Sequence, residues 1–350
     1  MKSVGILTYQ WYDNYGTVLQ AYALQTALKK LGYDAHQVPL LLRESPIKRY
    51  FAKSLRGMLM KWNKVMMERG NRWRDGFAAF RKKFFDYGGL AAMTFPEALQ
   101  HDFTEDVLVF GSDNIWSFWC YGLDEPMGRL FTGLGINHPH KIVYAASTGG
   151  DISTHPQVGE GLARIKSAGF RCISLREPLN INTLARYGIE AVHVPDPTLL
   201  LTAEDWTAIE DDTLVPDEPY IFGYDLGHPG KISVREACRK AAAENGLRVM
   251  IPYPKRWFRD RDVACYPTPR QWIALVRYAE RVVTDSFHGV IFSLIFNRPF
   301  RFLEIGGDGE YQSLNLRARE IMKLVGDDSL SKIGTLRDAG LNYLKEAICE

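Results

Sequence analysis

The segment of this chain best suited to chemistry is Thr284–Gly289, with the sequence TDSFHG. It follows an apolar, strand-like stretch at residues 281–283 and precedes an apolar helical pattern that begins near Val290. At such a turn the first backbone N–H groups of a helix attract an anion, and His288 adds an imidazole, a group that titrates near neutral pH. An anion site beside a proton donor predicts group-transfer chemistry. The same turn would equally suit simple helix capping by Asp285 or Ser286.

The segments around this turn predict a regular alternation of strands and helices. The N-terminal unit is a strand at Val4–Tyr9, a helix that ends at Gly32, and a strand at Asp34–Leu40. Further strands are predicted at residues 106–110, 141–146, 171–175, 190–194, 220–224 and 247–251, and helices at 231–245, 269–279 and about 335–348. This alternation is typical of an α/β fold with parallel sheets, whose ligands bind at the carboxyl ends of the strands.

The length of 350 residues favours two domains, and an acidic, proline-containing segment at residues 209–219 suits the linker between them. We predict two Rossmann-like domains, at residues 1–210 and 211–350, with the C-terminal helix in the second. Two such halves around a cleft form a GT-B-like arrangement, in which a donor and an acceptor meet between the domains. A Rossmann dehydrogenase is disfavoured because the first strand–helix turn lacks a GxGxxG arrangement.

The composition argues against several other classes of protein. The 43 basic and 41 acidic residues leave a formal net charge of +2, so the chain as a whole is not of the nucleic-acid-binding type. Its five cysteines are scattered without a CxxC pair, which argues against a disulfide scaffold or a zinc site. We find no separate hydrophobic leader and no apolar run of membrane-spanning length, and therefore expect a cytoplasmic protein.

A basic segment rich in aromatic residues predicts a helical insertion at about residues 45–100 of the first domain. Between Lys48 and Lys83 the chain carries twelve basic residues, with Glu68 and Asp75 as its acids. Basic amphipathic helices of this kind can lie on an anionic membrane surface or bind a phosphorylated substrate. They can equally pack on the sheet as a hairpin with a solvated basic face, and single-stranded nucleic acid is a weaker alternative.

Seven short runs occur in order along most of the chain: Gly5–Thr8, Asn14–Leu24, Gly111–Trp116, Tyr144–Ser147, Ile173–Glu177, Asp196–Leu201 and Thr284–Gly289. This ordered set resembles the polysaccharide pyruvyl transferase family. The resemblance implies an enzyme that transfers the enolpyruvyl group of phosphoenolpyruvate to two hydroxyls of one sugar. The products would be a cyclic pyruvate ketal and free phosphate. The acceptors would be sugars of polysaccharide or other cell-surface glycan precursors, such as those of capsules and exopolysaccharides.

Under this interpretation the donor binds on the side of the C-terminal domain. His288 would be the catalytic acid, which protonates C3 of phosphoenolpyruvate or assists the departure of phosphate. Arg176 would hold the anion, although it also suits a structural pair with Glu177 or Asp196. The remaining donor contacts are expected from Ser286, Phe287, Gly289 and Arg317, the last of which matches an arginine of the family.

The acceptor is expected on the side of the N-terminal domain. Asp13 would have a catalytic role in orienting or deprotonating the sugar hydroxyls. Further acceptor contacts are expected from Asn14, Tyr15, Gly16, Asp113 and Ser147, of which Asp113 also suits turn capping. No metal and no cofactor are required, because cationic side chains can neutralise the donor.

The partners and location depend on how the acceptor is carried. If the sugar is linked to a lipid pyrophosphate, the basic insertion would place the enzyme peripherally on the inner face of the cell membrane. The basic loop Lys255–Arg259 would then suit a phosphorylated acceptor.

Two alternatives to pyruvyl transfer remain open from the sequence. A nucleotide-sugar glycosyltransferase of the GT-B type would use the same cleft and release a nucleotide. A catalytically silent glycan- or lipid-binding protein would keep the cleft without turnover. The second alternative is prompted by Ser286 and Phe287, because some relatives have arginine and leucine before the histidine.

Overall fold

The computed structural model describes residues 1–41, 64–117, 122–227, 233–252, 264–306, 310–326 and 329–349. The basic loop Lys255–Arg259 and residues 45–63 of the predicted insertion lie outside the described residues. The described residues form two parallel sheets joined by helices, which confirms the predicted α/β class.

The first sheet contains six parallel strands. They are β1 (Ser3–Leu7), β2 (Asp34–Gln37), β5 (Val107–Phe110), β6 (Lys141–Ala146), β7 (Cys172–Leu175) and β8 (Val192–His193). Their order across the sheet is β2-β1-β5-β6-β7-β8. Strands β5 and β6 are buried along their whole length, which explains why their sequences are almost uninterrupted apolar runs. Two short strands, β3 (Leu40–Leu41) and β4 (Met93–Thr94), pair separately.

Seven helices accompany the first sheet within the described residues. They are α1 (Tyr15–Lys30), α2 (Lys64–Phe84), α3 (Phe95–Ala98), α4 (Pro126–Phe131), α5 (Val158–Ser167), α6 (Ile181–Arg186) and α7 (Ala203–Thr207). Short 3₁₀ turns lie at Pro178–Asn180 and Pro197–Leu200. Helix α1 begins where the Asn14 side chain accepts a hydrogen bond from the Thr17 backbone N–H at 3.2 Å. It is buried over most of its length, because it packs between the two halves of the molecule.

The second sheet contains five parallel strands. They are β9 (Tyr220–Tyr224), β10 (Arg248–Pro252), β11 (Ala264–Cys265), β12 (Arg281–Thr284) and β13 (Phe300–Phe302), in the order β11-β10-β9-β12-β13. Its helices are α8 (Val234–Asn245), α9 (Pro269–Arg277), α10 (Phe287–Ile295) and α11 (Glu310–Val325), and the chain ends in α12 (Ser329–Cys349).

Helix α10 begins three residues earlier than the sequence pattern predicted. The Ser286 side chain caps it by accepting a hydrogen bond from the Gly289 backbone N–H at 3.4 Å. The helix therefore starts at Phe287, although the continuous apolar pattern starts only at Val290. His288 consequently lies in the first turn of a helix, where it shares the electrostatic environment of the helix N-terminus.

The two halves share one hydrophobic core. Tyr15 of α1 stacks on Trp272 of α9 with ring centroids 5.3 Å apart, and one cluster of buried residues draws on both sheets. Helix α12 returns to the first sheet, where the Tyr343 hydroxyl donates a hydrogen bond to the Val143 carbonyl at 2.7 Å. The predicted division near residue 210 falls between the two sheets. The contact between the two halves is largely apolar.

Helix α2 belongs to the predicted basic insertion, and its described side chains separate into two faces. Phe77 and Phe80 are buried in the core. The exposed basic residues are Arg72, Arg74, Lys82 and Lys83. This half of the helix thus packs its aromatic residues inward, which matches the alternative of a packed helix with a solvated basic face. Among the described helices, none combines the length and the apolar character needed to span a lipid bilayer.

Candidate functional site

The N-terminal turns of two helices, one from each half of the molecule, meet at His288. His288 lies in the first turn of α10, and its imidazole packs against Gly16 in the first turn of α1. A Cβ atom on residue 16 would overlap the ring at Nδ1, so this approach requires a glycine. The contact joins residues 16 and 288, which are 272 positions apart in the chain.

Asp196 lies on the other side of the histidine ring. Its Oδ2 is 3.5 Å from His288 Nε2, which is a distance for an ion pair rather than for a good hydrogen bond. The carboxylate is fully buried, and its Oδ1 accepts hydrogen bonds from the Thr198 backbone N–H at 2.9 Å and hydroxyl at 2.6 Å. Burial alone would raise the pKa of Asp196, but the neighbouring His288 and Arg176 hold that pKa well below its usual range.

Arg176, which follows strand β7, connects Asp196 with a second carboxylate. Its Nη1 donates to Asp196 Oδ2 at 2.9 Å and its Nε donates to Glu177 Oε1 at 3.0 Å. Burial would lower the pKa of Arg176, but Glu177, Asp196 and Asp113 together raise it above its ordinary value. Glu177, Arg176, Asp196 and His288 therefore form one continuous charged chain from the first sheet to α10.

Two side-chain nitrogens of this charged chain lack a hydrogen-bond partner among the described residues, and Arg176 Nη2 is the one available to an anionic ligand, because His288 Nε2 faces the Asp196 carboxylate. Within the part of the chain that the structure describes, Arg176 Nη2 and His288 Nε2 are buried and have no hydrogen-bond partner. A buried donor without a partner costs about 1–3 kcal/mol, and a charged donor costs more. Bound anionic groups would offset this cost.

Phe287 supports two guanidinium groups beside the histidine. The Arg176 Cζ lies 4.7 Å from the centre of the Phe287 ring and the Arg317 Cζ lies 5.9 Å from it. Each is a cation–π contact. A planar guanidinium group stacks on an aromatic ring better than an ammonium group does. Both arginines thereby converge on the N-terminus of α10, which itself favours negative charge.

The loop after β5 connects Arg317 to the first sheet. Arg317 Nη1 donates to Asn114 Oδ1 at 3.0 Å, and Ser147 Oγ lies 3.1 Å from the same oxygen and 2.6 Å from Glu177 Oε1. Asp113 accepts a hydrogen bond from the Thr17 hydroxyl at 3.0 Å and has a positive φ of 67°. Ser147 and Asp113 are buried in this network, through which they help to hold Arg176 and Arg317 in position.

Three of the residues predicted on the acceptor side, the two acceptor contacts Asn14 and Tyr15 and the catalytic candidate Asp13, have structural contacts at the junction of β1 and α1. Asn14 caps α1, as described above. The Tyr15 hydroxyl donates to the Pro267 carbonyl at 2.8 Å and accepts from Trp73 Nε1 at 3.0 Å, and only 3% of the residue is exposed. Asp13 Oδ1 lies 2.7 Å from Arg81 Nη2 of α2. The acceptor roles of these residues stay predictions.

The remaining predicted donor residues shape the helix N-terminus. Ser286 is the cap of α10, and its backbone N–H donates to Thr284 Oγ1 at 2.9 Å. Gly289 packs against Thr284 so closely that a Cβ would overlap the threonine side chain. Their donor-binding roles likewise stay predictions.

The sequence pattern predicted Glu177 or Asp196 only as an alternative structural partner of Arg176, and Arg176 pairs with both. Asn114 had no predicted role beyond its place in a recurring run. The signal for Asp196 in the sequence was an Asp-Pro-Thr run at the end of a predicted strand. Its partners Arg176 and His288 are 20 and 92 positions away in the chain, so local patterns could not reveal them. Glu320 was missed altogether. Together with Arg176, Asp196 and Arg317 it lines a cavity of about 20 Å³.

Glu320 is a carboxylic acid whose surroundings raise its pKa. Burial raises its pKa to about 7, and the charge of Glu177 acts in the same direction, whereas Lys323 opposes the shift. Its Oε2 is buried and has no hydrogen-bond partner among the described residues. Within the same described ranges, no group of three or more His, Cys, Asp and Glu side chains is arranged to hold a metal ion.

Two solved structures have a similar fold. A UDP-GlcNAc 2-epimerase from Methanocaldococcus jannaschii is 14% identical, with a TM-score of 0.50 over 98% of this chain and 93% of that chain. A protein from Listeria monocytogenes, assigned as a UDP-N-acetylglucosamine 2-epimerase, is 12% identical, with a TM-score of 0.50 over 95% of this chain and 90% of that chain. At such identities the likeness concerns the fold alone, and it confirms the predicted arrangement of two Rossmann-like domains of the GT-B type.

Comparisons of sequence give the family. No curated protein matches the chain. The sequence profile of the family described as polysaccharide pyruvyl transferase matches residues 14–306, a range that holds the first turn of α1, Arg176, Asp196 and His288. The resemblance seen in the ordered runs is thereby confirmed, and the chain belongs to the polysaccharide pyruvyl transferase family, a family of enzymes.

Proposed function

We propose that this enzyme transfers the enolpyruvyl group of phosphoenolpyruvate to a sugar of a polysaccharide or cell-surface glycan precursor, forms a cyclic pyruvate ketal and releases phosphate. The observation that carries this proposal is the charged chain from Arg176 through Asp196 to His288, which meets the N-terminal turns of α1 and α10. Membership of the family supports the pyruvyl group and the sugar acceptor.

The donor has two anionic groups, a carboxylate and a phosphate, and the proposed site offers separate contacts for them. Arg176 Nη2 is a buried, charged donor without a partner among the described residues. Arg317, whose Cζ lies 5.9 Å from the centre of the Phe287 ring, and the N-terminus of α10 add positive potential nearby. Fixed cations of this kind can neutralise the phosphate as it leaves without any reorganisation of solvent.

His288 is the proposed carrier of the proton. Its Nε2 faces the ionised Asp196, so we assign proton exchange with the substrates to Nδ1, which lies on the side of α1. Asp196 would hold the ring in place and stabilise the positive charge that forms on it.

The proposed reaction has two steps, and atoms balance in each. In the first, C3 of the donor gains a proton from His288, C2 is attacked by one sugar hydroxyl, and the proton of that hydroxyl restores His288. In the second, the other hydroxyl attacks C2, the bond from C2 to the phosphate oxygen breaks, and the hydroxyl proton leaves with phosphate. Asp13 would orient the hydroxyls, since Arg81 holds its side chain at 2.7 Å and its oxygens can accept hydrogen bonds.

The test is phosphate release from phosphoenolpyruvate in the presence of galactose-, glucose- and mannose-containing acceptors, with the product identified by mass. We expect acceptor-dependent release and a product heavier by one pyruvate ketal. His288→Ala should lower turnover by two or more orders of magnitude, on the order expected for loss of a general acid. His101→Ala, which removes an exposed histidine, is the matched control and should keep wild-type turnover.

Other outcomes would favour the alternatives. Release of a nucleotide from a nucleotide sugar, with no use of phosphoenolpyruvate, would identify a glycosyltransferase. Binding of glycan or lipid without any product would identify a binding protein. Wild-type turnover by a correctly folded His288→Ala variant would remove this histidine from the mechanism.

We further propose that the acceptor is linked to a lipid pyrophosphate and that the enzyme works in the cytoplasm, at the inner face of the cell membrane. The exposed basic residues of α2 support this location, because each contributes about 1 kcal/mol near an anionic surface. Lys82→Glu with Lys83→Glu should weaken sedimentation with phosphatidylglycerol vesicles. Arg239→Glu with Lys240→Glu, a basic pair on α8, is the matched control. Equal binding by both double variants would argue against this location.

A further inference from the structure

An exposed tyrosine lies on the loop that connects β1 to α1, at the carboxyl end of the first sheet. Tyr12 is 46% exposed. Its ring lies 6.0 Å from that of Tyr9 with an angle of 20° between the planes, and 5.7 Å from that of Trp11. Tyr12 is therefore the outermost ring of a group of aromatic residues.

The inner rings of this group are anchored in the core. Tyr9 stacks on Phe131 with centroids 5.2 Å apart and planes at 20°, and it is only 7% exposed. Trp11 lies almost parallel to Phe131, at 15°, and its ring meets Phe95 edge-on at 5.2 Å. The support beneath Tyr12 is thus a set of packed rings, which keep few degrees of freedom and need little further ordering when a ligand binds.

A charged pair holds the loop from the side. Arg81 Nη2 lies 2.7 Å from Asp13 Oδ1, and Arg81 Nη1 donates to the Tyr12 carbonyl at 3.4 Å. The side chains of Arg81 and Asp13 are 19% and 26% exposed, so both reach solvent. An aromatic face bordered by a fixed carboxylate and a guanidinium offers apolar contact and hydrogen bonds at once.

The loop also leads directly into the proposed site. Gly16, four residues after Tyr12, is in contact with His288. The intervening chain makes a turn, because the Asn14 backbone N–H donates to the Tyr12 carbonyl at 3.0 Å. Four residues reach at most about 14 Å, so the backbone of Tyr12 lies within about that distance of Gly16, which contacts the histidine.

We propose that Tyr12 and Trp11 form a stacking subsite for a pyranose ring of the acceptor glycan, with Asp13 and Arg81 contacting the hydroxyls at the edge of that ring. The axial C–H groups on one face of a pyranose carry partial positive charge and pack on the negative face of an aromatic ring. This inference rests on the proposed function only in taking the acceptor to be a sugar, and it names a binding site that the pyruvyl chemistry does not require.

The test compares Tyr12→Ala and Tyr12→Phe with the wild-type enzyme. Steady-state kinetics with both substrates should give a KM for the acceptor about tenfold higher in Tyr12→Ala, the equivalent of ~1.4 kcal/mol for one ring contact. The KM for phosphoenolpyruvate should stay within about twofold, and Tyr12→Phe, which keeps the ring, should behave as wild type. Tyr187→Ala, an exposed tyrosine at the end of α6, is the matched control and should change neither KM.

A second measurement does not depend on turnover. Saturation-transfer NMR with methyl β-galactopyranoside, methyl β-glucopyranoside and methyl α-mannopyranoside reports contact of the sugar face with aromatic protons. We expect transfer to the C–H groups of one face with wild type and with Tyr187→Ala, and loss of it in Tyr12→Ala. If wild type binds these glycosides through Tyr12 but never consumes phosphoenolpyruvate, the subsite stands and the proposed reaction falls.

Three results would overturn the subsite. The first is an unchanged acceptor KM together with unchanged saturation transfer in Tyr12→Ala. The second is an equal rise in both KM values, since this would assign Tyr12 a general structural role in the loop. The third is a loss of vesicle binding or of self-association in Tyr12→Ala with acceptor affinity unchanged, since this would give the exposed ring a different partner.

Discussion

Gly16 and His288 are in direct contact across the boundary between the two halves of the molecule, and the contact leaves no room for a side chain at position 16. The glycine is part of the first turn of α1, whereas the histidine is part of the first turn of α10. The two helices thus direct their positive ends toward the same imidazole. The position of the proposed proton carrier therefore depends on both halves.

Substitution of this glycine should impair turnover more than stability. In Gly16→Ala the imidazole must move, and a displacement of about 1 Å at a reacting group can cost on the order of 100-fold in rate. We expect kcat to fall by about that factor. Gly334→Ala is the control, because no atom lies within 4 Å of a Cβ there and alanine should stabilise α12 by about 0.5–1 kcal/mol. Turnover and thermal unfolding of both variants check this, and normal kcat in Gly16→Ala would contradict it.

Asp196 should contribute to both stability and catalysis. Asp196→Asn keeps the shape of the side chain but removes the negative charge between Arg176 and His288. Loss of one member of a buried ion pair typically costs about 3–5 kcal/mol, and we expect a loss near ~3 kcal/mol because Glu177 still compensates Arg176. Urea unfolding measures this change.

The control for Asp196 is an exposed ion pair. Glu218→Gln removes a carboxylate whose partner Arg248 is likewise exposed, and it should change stability by no more than about 0.5 kcal/mol. Equal stabilities for the two variants would show that the buried chain of charges does not hold the two halves together.

Glu320 should make stability depend on pH in a direction opposite to that of most carboxylates. Its pKa is raised to about 7 in the folded protein, whereas an unfolded glutamate titrates near pH 4.3. Between these values the folded state binds more protons, so its stability falls as pH rises through this range. Glu320→Gln removes the effect, and the Tm of this variant relative to wild type should increase from pH 5 to pH 8. A Tm difference that is constant with pH would contradict the assignment.

Arg317 should act on the donor rather than on the acceptor. Arg317→Lys keeps the charge but loses the planar group that contacts Phe287 and reaches Asn114. We expect the KM for phosphoenolpyruvate to rise about tenfold, with the acceptor KM nearly unchanged. Arg319→Lys, an exposed arginine on the same helix that pairs with Glu304, is the matched control. A selective rise in the acceptor KM would place Arg317 on the other side of the cleft.

The regular elements could be predicted because each depends on its own residues. The strands at Lys141–Ala146 and Tyr220–Tyr224 have the predicted bounds, since their apolar runs are bordered by turn residues. Helix α10 starts earlier than its apolar pattern because capping by Ser286 depends on a side-chain hydrogen bond that periodicity does not register.

The sequence by itself determined the α/β class and the family, and it put forward His288 and Arg176 as candidate site residues, because ordered local runs and strand–turn–helix patterns are properties of neighbouring residues. Only the tertiary structure decided what surrounds them. The ionised Asp196 beside His288, the raised pKa of Glu320 and the need for glycine at position 16 arise from burial and from contacts between distant segments. Burial amplifies electrostatic interactions, and which groups are buried together is set by the packing of the two sheets and their helices.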